Sequence, residues 1–187
     1  AAEVLEELCC KLEAGGAGRL QAAVNLWKMA GSDDYKHSFC HVRNGFSRLC
    51  RALEFCQLPK EQEYVSLALQ RFGSTPANLA SFREANVLET LASILVSGPK
   101  SAQQWVAFAL GRLVTTEASR RMIGAVPSMF ETLLSILQSG DPSAQEYAAY
   151  LLGILAKDHQ SSLAGVPGMI EALVSLRSHG SVKAKRY

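Results

Sequence analysis

Apolar residues recur along this chain at intervals of three and four, and the stretches that carry them recur in turn. From Met129 to Leu137 the residues Met129, Phe130, Leu133, Leu134, Ile136 and Leu137 follow helical spacing. The polar string Ser139-Gly140-Asp141-Pro142 interrupts them. Its glycine suits a helix C-terminal cap, and Pro142 suits the start of the next helix. A third apolar stretch, Ala144 to Ala156, is rich in alanine and leucine, and Ala148 and Ala149 allow a neighbouring helix to come close. Ahead of these, Glu117 to Ile123 reads as a short helix ended by Gly124, and Pro127 is placed in the first turn of the helix that follows.

This short–long–long pattern copies itself at a period of about forty residues. A shift of 40 places Val126-Pro127 on Val166-Pro167, Met129 on Met169, Glu131 on Glu171, Gly140 on Gly180 and Tyr147 on Tyr187. A shift of 42 places Glu89-Thr90-Leu91 on Glu131-Thr132-Leu133 and Ser101-Ala102-Gln103 on Ser143-Ala144-Gln145. Further back, Gln62, Tyr64, Leu69 and Arg71 fall 41 before Gln103, Trp105, Leu110 and Arg112. Such a period predicts an all-α solenoid, each unit covering its neighbour's apolar face. The chain reads as a single array with units at 32–73, 74–115 and 116–156, and partial units at 1–31 and 157–187.

The strings GAVPSMFETLLSILQSGDPSAQEYAAYLLGILA and GVPGMIEALVSLRSHGSVKAKRY resemble the armadillo repeat. That unit has a short first helix ending in Gly, a Val/Ile-Pro step, and a third helix of the type Gln-x-x-Ala-Ala-aromatic-x-Leu. HEAT repeats, with two helices per unit, are the runner-up. The resemblance implies a right-handed α-α superhelix of four to five repeats whose third helices line a concave groove for an extended peptide or partner helix. In the nuclear-import adaptors of that family a Trp and an Asn four apart form ladders. Here the Trp place holds Val24, Leu67, Phe108 and Tyr150, and the Asn place holds Lys28, Arg71, Arg112 and Ile154. Neither ladder survives, so recognition of nuclear-localisation peptides by that device is not expected.

What the register leaves in the expected groove is a row of cations, Lys28, Arg71 and Arg112, and a row of rings, Tyr64, Trp105, Tyr147 and Tyr187. Trp105, Phe108 and Arg112 share one helix face, and Tyr64, Leu67 and Arg71 form its counterpart. Arginine binds carboxylate and phosphate in a two-pronged fashion, which points to an acidic or phosphorylated partner segment. The expected binding residues are therefore Lys28, Arg71, Arg112, Tyr64, Trp105, Phe108, Tyr147 and Tyr150. The plainer alternatives are a solvated face for the cations and packing between units for the rings.

Composition narrows the rest. A net charge of +2 gives no bulk attraction to nucleic acid or membrane, which leaves nucleic-acid binding a distant third function. The longest apolar stretch, Ala148 to Ala156, is too short to span a bilayer. Five cysteines, Cys9, Cys10, Cys40, Cys50 and Cys56, suit reduced thiols in a cytoplasmic protein. His37, Cys40 and His41 share a short helix but lack the spacing of a zinc site. The basic residues Lys183, Lys185 and Arg186 read as an exposed helix face. No nucleophile elbow, phosphate loop or catalytic carboxylate pair appears, so neither catalysis, a cofactor nor a small-molecule substrate is expected. The leading expectation is a protein-interaction scaffold. The alternative is a structural subunit of a large cytoskeletal, ciliary or organellar assembly.

Overall fold

A computed structural model describes residues 1–139 and 141–179, apart from the side chains of Glu84, Ser139 and His179. Gly140, Lys183, Lys185, Arg186 and Tyr187, singled out above, lie outside the described residues, as does the third helix expected for the last unit. The described residues form thirteen α-helices and no strand: α1 (Ala2–Ala14), α2 (Arg19–Met29), α3 (Asp33–Ser38), α4 (Gly45–Phe55), α5 (Pro59–Gly73), α6 (Leu79–Glu84), α7 (Val87–Ser97), α8 (Lys100–Leu113), α9 (Glu117–Gly124), α10 (Met129–Ser139), α11 (Pro142–Leu155), α12 (Gln160–Ala164) and α13 (Met169–His179). Short 3-10 turns at Gly16–Gly18, Phe39–His41 and Pro76–Asn78 fill three of the junctions. The protein is all-α, and none of these helices is long and apolar enough to cross a membrane.

Two compact units divide the chain, Ala1–Thr90 and from Leu91 onward, with the division inside α7. In the first, α2 packs on α1 and α5, and α4 packs on α1 and α5. Its core holds Leu5, Leu12, Leu26, Leu49, Leu53 and Leu69 around three buried phenylalanines. Phe39 stacks on Phe72 at 3.9 Å and meets Phe46 edge-on at 4.9 Å. In the second, α8 and α10 pack on α11, and α13 packs on α10, burying Leu110, Leu133, Leu152 and Leu155.

A backbone device marks the period. The residue just before each of α4, α7, α10 and α13 is left-handed: Asn44 (φ 51°), Asn86 (φ 47°), Ser128 (φ 61°) and Gly168 (φ 84°). They stand 42, 42 and 40 positions apart. Asparagine and glycine tolerate this region best, which reverses the chain out of the short helix within a few residues. Pro127 is consequently displaced from its expected place. It sits in the turn ahead of Ser128, and α10 begins only at Met129. Pro142 does stand in the first turn of its helix, where the Asp141 carboxylate accepts from the Ser143 and Ala144 N–H groups at 2.8 and 2.9 Å.

Side chains close the polar loop between the two long helices of the three full units. The Gln62 amide donates to the Cys56 carbonyl at 2.8 Å, Gln103 to Leu95 at 3.1 Å, and Gln145 to Leu137 at 2.8 Å. Each glutamine, near the start of one helix, thus fills a carbonyl left open at the end of the helix before it. The consequence is a fixed angle between the second and third helices, and so a fixed presentation of the third.

Candidate functional site

The expected binding residues fall on the third helices, α2 and α5 in the first unit and α8 and α11 in the second. In the first unit, Trp27 on α2 is flanked by two residues of α5. The Tyr64 ring lies 5.2 Å from its indole, tilted by 46°, and the Arg71 guanidinium lies 5.2 Å over it. Arg71 Nη1 also donates to the Trp27 carbonyl at 3.2 Å. That carbonyl is in the last turn of α2, where no intrahelical N–H reaches it, so Arg71 caps the neighbouring helix while stacking on its ring. Gly31 keeps this contact open, since a Cβ there would come within 3.3 Å of Arg71 Nη1. Lys28 is exposed, and its side chain makes no hydrogen bond or ion pair among the described residues.

In the second unit, Tyr147 on α11 sits between two rings of α8. It is 5.8 Å from Trp105 and 5.0 Å from Phe108, tilted by 44° and 53°. Tyr150 lies one turn on, against Gly111, where a Cβ would come within 2.6 Å of its ring. Arg112 follows Gly111 and is exposed, and its side chain makes no hydrogen bond or ion pair among the described residues. The rings are all half-buried, so they join the helices through one edge and show another to solvent.

Lys28, Arg71 and Arg112 share a further property that spacing did not reveal. Each stands in the last turn of its helix, where a cation is favoured by the open carbonyls and the helix dipole. This explains the recurrence of the basic residue without a ligand, but it leaves Lys28 and Arg112 facing solvent. Arg71 differs, because Trp27 immobilises it. Sequence reading missed Trp27, which falls opposite Ala68 at a shift of 41 and therefore belongs to no ring row.

Other groups prove structural. Arg48 on α4 is buried against α1, where Glu6 and Glu13 accept from its guanidinium and Cys10 Sγ lies 3.1 Å from Nη2. Arg43 N–H also reaches Glu6 at 2.9 Å. Cys9 and Cys50 face the core, and burial pushes both thiols up to about 12. His37 Nδ1 meets the Asp33 carbonyl at 2.6 Å, while Cys40 Sγ donates to the His37 carbonyl at 3.3 Å. No group of three His, Cys, Asp or Glu among the described residues is placed to hold a metal ion. His159 Nε2 lies 3.1 Å from the Arg120 carbonyl, beside an Arg120–Asp158 ion pair.

No protein-family model and no curated protein matches the chain. Two crystal structures of engineered proteins resemble it, each with a TM-score of 0.74 and 97% of this chain covered. Their identities are 23% and 21%, and the match spans 76% and 75% of their own lengths. At that identity the likeness extends to the fold alone.

Proposed function

We propose that this chain is a non-catalytic interaction scaffold of the armadillo type. Its third helices hold an extended partner segment that is acidic or phosphorylated. The observation that carries the reading is the pairing of rings with unengaged cations. Lys28 directly follows Trp27 of the Trp27–Tyr64 pair along α2, and Arg112 stands one turn after Phe108 of the Trp105–Phe108–Tyr147 cluster along α8. Half-buried aromatic rings beside a cation are the usual anchors of an interaction surface. A guanidinium with its N–H groups open receives carboxylate or phosphate in two-pronged fashion. The short helix, left-handed step and two long helices of the units 32–73, 74–115 and 116–156 support the armadillo assignment over a two-helix repeat.

Fluorescein-labelled acidic peptides and their phosphoserine counterparts, each about 15 residues long, provide the test. Binding at low salt should weaken at least tenfold in Lys28→Glu or Arg112→Glu and fade as salt screens the charges. Equal binding by the wild type and the double variant, or none to either peptide class, would show the reading to be wrong. A structural subunit of a larger assembly is the second reading, favoured by the exposed apolar residues Ile170 and Val174 on α13.

A further inference from the structure

Two groups where α5 meets α2 lack the partners their chemistry asks for. Arg71 makes no ion pair among the described residues. Its guanidinium donates to the neutral Trp27 carbonyl at 3.2 Å and lies 5.2 Å from the centre of the Trp27 ring. The indole Nε1–H of Trp27 is buried, with no acceptor among the described residues. A guanidinium without an anion and a buried donor without an acceptor, joined in one contact, point to a ligand that carries both complements. An extended peptide with an anionic side chain is such a ligand: its carboxylate or phosphate serves the cation, and its backbone carbonyl serves the indole. Tyr64, 5.2 Å from the same indole, supports the ring independently of Arg71.

Resting on the reading that an acidic segment lies along the third helices, we infer that Arg71 is a latch that such a segment opens. The carbonyl that Arg71 holds belongs to the peptide bond between Trp27 and Lys28, and Lys28 is exposed. An anion drawn in by Lys28 therefore comes within reach of the half-buried guanidinium as well. A bond from guanidinium to an anion is charge-assisted and two-pronged, so it displaces the single bond to the neutral carbonyl. Water takes over that carbonyl, which stands in the last turn of α2 and is reached by no intrahelical N–H. Gly31 leaves the guanidinium room to turn, since a Cβ there would stand 3.3 Å from Nη1. With the guanidinium lifted from the ring, the indole N–H donates to a backbone carbonyl of the same segment. A neutral segment offers the guanidinium nothing in exchange, and the indole stays closed to it. The site thus reads charge first and backbone second.

The probes are the acidic peptide of the binding test and its phosphoserine counterpart, without label and without aromatic residues. The readout is the nuclear magnetic resonance of the ¹⁵N-labelled chain, in which the Trp27 indole signal is the one that survives Trp105→Phe. An anionic peptide should move the Trp27 indole proton downfield, as its donor gains an acceptor, and should move the Arg71 Nε–H signal with it. Run separately, the two peptides show whether carboxylate or phosphate is the anion. A version with glutamine in place of every glutamate and serine in place of phosphoserine should move neither signal. Arg71→Ala, checked for its helices by circular dichroism, should bind the anionic peptide about tenfold more weakly. Should the peptide bind, and bind less to Lys28→Glu, while both signals stay in place, the latch is refuted and the groove reading stands. Binding by Arg71→Ala at the wild-type affinity refutes the latch in the same way. Absence of binding to the wild type removes both.

Discussion

Arg71 reaches back one unit to stack on Trp27 and to fill the carbonyl of the same residue. One side chain thereby makes a cation–π contact and caps a helix. Its removal should cost about 1–2 kcal/mol in urea unfolding. Arg71→Lys keeps the charge but loses the planar fork, and it should recover less than half of that loss. In a Trp105→Phe background the remaining indole emission at Trp27 reports the site. Emission and midpoint that stay put in Arg71→Ala would dissolve the relationship.

Gly111 and Tyr150 offer a prediction of sign. An exposed helical Gly→Ala change stabilises by about 1 kcal/mol through backbone entropy. Here the new methyl would meet the Tyr150 ring, and overpacking costs about 1–3 kcal/mol, so Gly111→Ala should destabilise. In a Tyr150→Ala background the same change should become stabilising. Thermal unfolding of the four proteins in that cycle decides it, and an unchanged sign refutes the contact.

The left-handed step before each second helix should discriminate among side chains. Gly168→Ala should cost about 1 kcal/mol, because its φ of 84° strains any Cβ. Ser128→Val, branched at Cβ with φ 61°, should cost about 1–2 kcal/mol, whereas Ser128→Asn should change stability by under about 0.5 kcal/mol. Equal effects of valine and asparagine would mean that the step does not select.

The buried thiols set an alkaline limit. Cys9 and Cys50 hold their protons in the folded chain up to about 12, whereas the unfolded chain releases them near 9.0. Between those values the folded state binds more protons, so stability is full below about 9 and falls as pH rises. The slope is about 1.4 kcal/mol per pH unit for each thiol. Urea midpoints at pH 8, 9 and 10 should show a shallower fall for Cys50→Ala than for the wild type. Identical slopes would exclude thiol burial as the cause.

The helices were legible because their apolar spacing is local and repeated. Glu117–Gly124 and Val87–Ser97, for example, lie within about two residues of where periodicity places them. The turn at Pro127 was not, because proline suits both a first helical turn and the approach to a left-handed residue. Tyr64, Trp105 and Tyr147 were found through their shared register, and the structure brings Trp105 and Tyr147 together. Trp27 and the Arg48–Glu6–Glu13 cluster escaped, since each rests on a pairing made at one junction only.

The glutamine ties at Gln62, Gln103 and Gln145 have a bearing on how such an array can lengthen or shorten. Each spans six or eight residues and lies wholly inside one period. Duplication or deletion of a whole unit would copy or remove a complete tie and leave the others intact. The Arg71–Trp27 contact spans 44 residues and would be lost at a new seam unless both partners happened to recur. Change in unit number therefore preserves the hinge between long helices while making each seam individual, and it is at the seams that one array of this kind can come to differ from another.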